Sequence, residues 1–306
     1  MNHSHDHDHN HAPANFGRAF AIGIALNIAF VAIEAFYGWQ ASSLALLADA
    51  AHNLGDVGGL VLAWAALAAS RLRADDRHTY GWRRGSIIAS FANAVMLLVA
   101  MGSLAWEAAQ RLQSPAPLEA GTVMVVAAVG VVINGLTAWL FMAGNKDDLN
   151  IRGAFLHMTA DALVSAGVVL AGALYLWQGW AWIDPAVSLV IAAVIVIGTW
   201  SLFRQSLHLL FDGVPEHINL PEVRRCLLAL PNVLTVHDLH IWAMATSETA
   251  LTAHLVMQGE GHDVDTTLSQ ATDLLHEHFD IRHVTLQVES ERYASACVSD
   301  ATPCST

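Results

Sequence analysis

The sequence predicts an α-helical membrane protein, with six transmembrane helices followed by a small α+β domain of order αββαβ. Three observations predict it. Only 13% of the 306 residues are charged and 55% are hydrophobic, whereas a soluble domain carries roughly 25% charged residues. Six apolar runs are each long enough to cross a bilayer core of ~30 Å, which takes about 20 helical residues. After about Gln205 the composition turns acidic and the apolar stretches become short.

The spans fall at Phe16–Trp39, Ser42–Ser70, Gly85–Gln110, Gly121–Gly144, Gly153–Trp177 and Ile183–Phe203. Their connections differ in charge. Those around Trp39–Ser42 and Gln178–Trp182 hold no Lys or Arg, and the third-to-fourth holds only Arg111. The second-to-third holds Arg71, Arg73, Arg77, Arg83 and Arg84, and the fourth-to-fifth holds Lys146 and Arg152. Cytoplasmic loops are the ones enriched in Lys and Arg, so both chain ends are expected in the cytoplasm. Trp177, Trp180 and Trp182 cluster at one connection, as an interfacial aromatic belt does.

Beyond the spans, Leu220–Leu230 reads as a helix stopped by Pro231. Val233–Met244 and Thr249–Met257 read as strands. Asp263–Phe279 has Leu268, Ala271, Leu274, Leu275 and Phe279 at helical spacing, and Val284–Val288 alternates as a half-buried strand does. Helices on one face of a small sheet follow from that order. The expected domains are therefore a His-rich cytoplasmic tail (1–15), a transmembrane domain (16–206), a cytoplasmic α+β domain (207–292) and a mobile tail (293–306).

Charge and histidine content narrow the function. The net charge of −13 argues against nucleic acid as a partner, because binding phosphates needs a basic surface. The 17 histidines are an excess. Some sit in MNHSHDHDHNH, a His/Asp tract that reads as a weak metal-collecting tail or as a tag, although tags are usually uninterrupted His runs. Cys226, Cys297 and Cys304 form no CxxC pair and no disulfide framework.

Ionisable residues inside spans are functional candidates, because lipid does not solvate them. Span two reads LADAAHNLGDVGG, with His52 and Asp56 at i, i+4 on one helical face; span five reads LHMTADALVS, with His157 and Asp161 at the same spacing. A single His–Asp pair also serves as an interhelical hydrogen bond. Two pairs at identical spacing, with no Lys or Arg in either span, favour a metal cation held by two imidazoles and two carboxylates, a set suited to tetrahedral Zn²⁺. Asp49, one turn before His52, either orients that imidazole or bonds a neighbouring helix. Glu34, Asn27, Asn53, Asn93 and Asn134 read as packing or pathway groups. No HExxH motif marks a metalloenzyme.

The stretches LLADAAHNLGDV, DDRHTYGWRR, RGAFLHMTADALVS, VHDLHIW and TLQVE together resemble the cation diffusion facilitator family, from about Phe16 to Glu289. The resemblance implies a homodimeric six-span antiporter, in a bacterial inner membrane, that exchanges a cytoplasmic divalent metal for protons. It also implies a metallochaperone-like cytoplasmic domain. The quartet His52, Asp56, His157 and Asp161 resembles the zinc-transporting branch, with Co²⁺ or Cd²⁺ as lesser substrates. Some family members bind metal in the loop after span two through Asp-x-x-His-x-x-x-His. Here Asp75 and His78 fill the first two positions but Trp82 fills the third, so no stable site is expected there. In the soluble domain the resemblance points to His237, His254, Asp265 and Glu289, with His262 beside them, as ligands for Zn²⁺ in a regulatory role. Gln287 stands where some members have His. Strand alternation puts His237 and His240 on opposite faces.

Overall fold

The computed structural model describes residues 16–70, 74–114, 118–142, 149–259 and 263–294. The element order is α1 (Phe16–Gln40), α2 (Leu44–Ser70), α3 (Gly85–Gln113), α4 (Ala120–Met142), α5 (Leu149–Gln178), α6 (Ile183–Leu210), α7 (Leu220–Leu228), β1 (Val233–Ala245), β2 (Glu248–Met257), α8 (Val264–Phe279) and β3 (His283–Ser290). Each expected element is present. Among the described residues, four helices are long and apolar enough to cross a membrane: Gly85–Gln113, Ala120–Trp139, Phe155–Gln178 and Ile183–Leu210. The tail 1–15 and residues 295–306, which include Cys297 and Cys304, lie outside the described residues, as does Lys146.

Two compact units are built from discontinuous segments. One takes the described residues up to Gly58 together with Met96–Gly198, and the other takes Gly59–Val95 and the chain from Thr199 onward. The first is a helical bundle. Its core sets Phe30, Leu46, Met101, Val123 and Ile191 among Ala45, Ala48, Ala127 and Ala192. Small residues let helices approach closely where lipid gives no hydrophobic drive to association. Gly130 of α4 marks one such approach, since a Cβ there would lie 2.7 Å from Phe30 Cζ and 3.0 Å from Ser165 Oγ. Facing outward are Val125, Val132 and Trp139 of α4, Leu163, Leu170 and Trp177 of α5, and Val190, Val194 and Ile197 of α6, all exposed. Water does not favour such apolar stripes; lipid does.

The start of α2 is fixed from a distance. Ser42 has φ 55°, which turns the chain between α1 and α2. Ser43 Oγ accepts the Leu46 amide (3.3 Å) as an N-cap and donates to Asp184 Oδ1 at 2.6 Å. Asp184 Oδ2 accepts the Leu44 amide at 2.9 Å. A carboxylate from α6 thus satisfies one of the free amides of α2 and favours its positive end.

The second unit contains the αββαβ domain. Its sheet order is β1-β2-β3, with β1 and β2 antiparallel and β2 and β3 parallel. α7 packs on β1 and α8 on β3. Val223, Leu227, Ala271 and Leu275 from the helices meet Val236, Leu239, Ile241, Leu251 and Leu255 from the sheet in one core. Asn219 caps α7 through its side chain on the Glu222 amide, and Asp263 caps α8 on the Thr266 amide. Asp280, at φ 52°, ends α8 in the left-handed conformation. Beyond β3, residues 291–294 form one helical turn, with the Tyr293 amide donating to Ser290 Oγ.

Candidate metal centre

The two His-x-x-x-Asp motifs converge. On α2, His52 Nε2 lies 3.6 Å from Asp56 Oδ2; on α5, His157 Nε2 lies 3.6 Å from Asp161 Oδ2. Across the helices, His52 Nε2 is 3.7 Å from Asp161 Oδ1 and His157 Nε2 is 3.2 Å from Asp56 Oδ2. The imidazole rings stand edge to face, their centroids 5.7 Å apart. Each imidazole therefore touches both carboxylates. A tetrahedron with metal–ligand bonds of ~2.0–2.1 Å has an edge of about 3.3 Å, close to these His–Asp separations; His52, His157 and Asp161 bring one ligand atom each within 4.8 Å of the others, and Asp56 joins them through its contacts with the two imidazoles.

The buried atoms are consistent with a cation at the convergence. His52 Nδ1, Asp56 Oδ2 and Asp161 Oδ2 are buried without a hydrogen-bond partner among the described residues. Asp161 is the deepest, with a side chain 3% exposed, while His157 at 40% is the most open. Gly55 sits between His52 and Asp56 in sequence and faces α3, where a Cβ would come within 2.5 Å of Leu97 Cδ2. This absence of a side chain sets how near α3 lies to the turn that carries His52 and Asp56.

Asp49 takes the second of its two expected roles. Ser165 Oγ of α5 donates to Asp49 Oδ2 at 3.0 Å, while His52 Nδ1 keeps no partner. Asp49 ties α2 to α5 and does not orient the imidazole. In the loop, Asp75 accepts the backbone amides of Arg77 (2.9 Å) and His78 (2.6 Å), and His78 stacks on Trp82 at 4.4 Å. Those two amides, that of His78 first, hold the Asp75 carboxyl below the ordinary carboxylate range. Asp75 is thus engaged in shaping the turn, and Asp75 and His78 belong to no converging set of three ligands among the described residues.

A second convergence lies on the sheet face turned away from α7 and α8. His237, His254 and Glu289 bring one ligand atom each within 4.8 Å of the others. His237 Nε2 is 3.1 Å from Glu289 Oε2 and His254 Nδ1 is 2.8 Å from Glu289 Oε1. The pairings His237↔His254 and His254↔Gln287 align the three strands. Gln287 Nε2 donates to Glu289 Oε1 at 2.8 Å, so it positions the carboxylate. Asp265, by contrast, is exposed in the first turn of α8 and is not part of the converging set. His262 lies outside the described residues.

The opposite-face expectation for His237 and His240 is overturned. The β1–β2 register slips between them, at Asp238 with φ 49°. One extra residue in a strand restores the side, so both imidazoles share a face. Asp238 then touches His240 Nε2 (3.0 Å) and His254 Nε2 (3.6 Å), a contact the sequence reading missed. The available signal was weak: Asp tolerates the left-handed region better than most residues.

A bundle of apolar helices on which two His-Asp pairs converge, joined to a small αββαβ domain, has the build of a membrane protein that handles cations. Family comparison sharpens that class. The description "Cation efflux transmembrane domain" matches residues 20–211 and "Cation efflux protein, cytoplasmic domain" matches residues 215–291. The chain belongs to the cation efflux family, the cation diffusion facilitators. It is 37% identical over 277 residues to the metal cation efflux system protein CzcD of Cupriavidus metallidurans, covering 90% of this chain and 88% of that one. It is 36% identical over 292 residues to the zinc transporter ZitB of Escherichia coli, covering 94% and 93%. It is 32% identical over 284 residues to the cadmium, cobalt and zinc/H(+)-K(+) antiporter of Bacillus subtilis, covering 90% of each chain.

Proposed function

We propose that this protein exports a divalent metal from the cytoplasm in exchange for protons, with Zn²⁺ as principal substrate. The observation that carries the reading is the crossed contact of the quartet, in which each imidazole reaches both carboxylates at 3.2–3.7 Å. Two nitrogens and two oxygens suit Zn²⁺, which takes such ligands with no geometric demand of its own. Two neutral imidazoles and two carboxylates also balance a divalent cation in charge.

Ligands must lose their protons before they bind metal, so loading releases protons and acid favours unloading. Imidazole, with an unperturbed pKa of ~6.5, makes that exchange near neutrality. Loading occurs with the quartet open to the cytoplasm. Helix rocking then exposes it to the other side, where protons displace the metal. The six long helices are read as six spans, over 16–206, with both chain ends in the cytoplasm of a bacterial inner membrane. The 207–292 domain is read as the dimerising part of a homodimer, with Zn²⁺ at His237, His254 and Glu289 as a regulatory ligand. A wider range including Co²⁺ and Cd²⁺ is the second reading, favoured by the name of the Bacillus subtilis relative.

The deciding experiment is Zn²⁺ flux into proteoliposomes with and without a pH gradient, comparing wild type with the double variant His157→Ala/Asp161→Ala. Gradient-dependent flux that the variant lacks is expected. Tight zinc binding without flux in the wild type would replace the transporter with a membrane zinc sensor. Flux indifferent to the gradient would make it a channel.

A further inference from the structure

One turn along α2 from His52 lies a group of buried polar residues that the metal quartet does not use. Glu34 of α1 is 0% exposed, Asp49 1%, Asn53 1% and Ser165 of α5 0%. Asn53 Nδ2 donates to Glu34 Oε2 at 3.5 Å, and Ser165 Oγ donates to Asp49 Oδ2 at 3.0 Å. Each donor satisfies one oxygen of one carboxyl group. The other oxygens, Glu34 Oε1 and Asp49 Oδ1, are buried and have no hydrogen-bond partner among the described residues. Yet the two carboxyl groups are within hydrogen-bonding reach of each other.

A donor is missing from this arrangement, and a proton supplies it. Two carboxylates in contact in a low-dielectric interior do not both ionise, so such a pair holds a proton between them. Among the described residues, no Lys or Arg charge reaches the pair. Residues 44–70 of α2, all of α4 and residues 153–178 of α5 contain no Lys or Arg, and the only one in α1, Arg18, lies more than four turns from Glu34. The titratable groups whose charge reaches the pair are Asp161 and His52, both of the quartet.

We propose that Glu34 and Asp49 form a proton-binding carboxyl pair, an exchange site distinct from the metal quartet and coupled to it through charge. The coupling rests on the quartet binding a divalent metal. An empty, deprotonated quartet sets the negative Asp161 carboxylate near the pair and favours its doubly protonated, neutral form. A divalent cation in the quartet cancels that charge, and one carboxyl O–H bond of the pair breaks. The proton leaves to water, and its electron pair stays on the carboxylate. The coupling is reciprocal, so reprotonation of the pair weakens metal binding. The pair thereby adds one proton to those exchanged by the imidazoles.

The test is infrared difference spectroscopy on the full-length protein in lipid nanodiscs at neutral pH, read at the carbonyl stretch of a protonated carboxylic acid. Wild type is expected to show that band, Glu34→Gln to lose it, and Asp49→Asn to shift it. Adding Zn²⁺ to wild type is expected to reduce the band. Protons released per bound zinc, followed with a pH indicator in weak buffer, are expected to fall by about one in Glu34→Gln. A band unchanged in both variants overturns the pair. So does a band that ignores zinc in wild type to which calorimetry shows zinc bound; this readout needs no variant to fold. If calorimetry shows no zinc binding to wild type, the quartet reading falls. The metal-free band and its loss in Glu34→Gln still decide the pair.

Discussion

Asp161 is the most enclosed member of the quartet, with a side chain 3% exposed against 23%, 33% and 40% for His52, Asp56 and His157. Water has least access there to replace a lost ligand. Asp161→Ala is therefore expected to lower zinc flux on the order of 100-fold or more, since even supporting groups around a metal site change affinity by 10–100-fold. The variant should remain monodisperse, because Asp161 Oδ2 anchors no hydrogen bond within the bundle. Flux within a few-fold of wild type would remove Asp161 from the site. Much of this was legible beforehand: the i, i+4 spacing of His and Asp on two helices fixes which groups share a face. Two things were not. Asp49 had two roles in prospect, orienting His52 or bonding a neighbouring helix, and only the packing of Ser165 against it decides between them. Asp238 reaches His254 through a bulge, and a pattern of strict alternation contains no signal for the residue that breaks it.

Helix approach and helix ends give two more expectations. Gly55 leaves room for Leu97, whose Cγ would lie 2.8 Å from a Cβ at that position. Gly55→Ala overpacks the α2–α3 contact, and overpacking costs typically ~1–3 kcal/mol. It also displaces Asp56 next to it. Reduced flux and a lowered Tm are expected, with recovery in Gly55→Ala/Leu97→Ala, because the clash is between those two side chains. A double variant no better than the single would show that the glycine serves something other than this contact. At the start of α8, Asp263 accepts Thr266 Oγ1 at 2.5 Å and the Thr266 amide at 3.3 Å. The hydroxyl first and the amide next hold its carboxyl below the ordinary range. A depressed folded pKa gives stabilisation that is complete above the unfolded value of ~3.9 and is lost as pH falls through the folded value. Asp263→Ala should thus speed amide exchange in the first turn of α8 at neutral pH, and the difference from wild type should vanish in strong acid. The run of α8 was legible from its apolar period. The lengthening of β3 to His283–Ser290 was not, because its end residues gain their pairing from β2, a partner distant in sequence.

Within the second unit, the hairpin joining β1 to β2 is fastened to the start of α3. Arg83 Nη1 donates to Glu248 Oε2 at 2.7 Å, the Thr246 amide donates to Ser86 Oγ at 3.1 Å, and Tyr80 meets the His283 ring at 5.4 Å. These contacts join residues 160 or more positions apart, beyond the reach of any local pattern, so the arginines of this loop could be read in the sequence only as a topological signal. β1 also carries His237 near its other end, so a single strand connects the His237, His254 and Glu289 cluster to the α3 clasp. The ion pair is half-exposed on both sides, at 43% and 45%, and pairs of that kind contribute roughly 0.2–1 kcal/mol. Glu248→Gln is therefore expected to raise amide exchange at Thr246 by no more than about fivefold, and high salt should produce the same change in wild type by screening the pair. Zinc at the His237 cluster should act in the opposite direction, slowing exchange at Thr246 in wild type and failing to do so in His254→Ala. If zinc slows Thr246 equally in that variant, the clasp responds to metal elsewhere, and the strand is a support for the cluster without being its link to the helices.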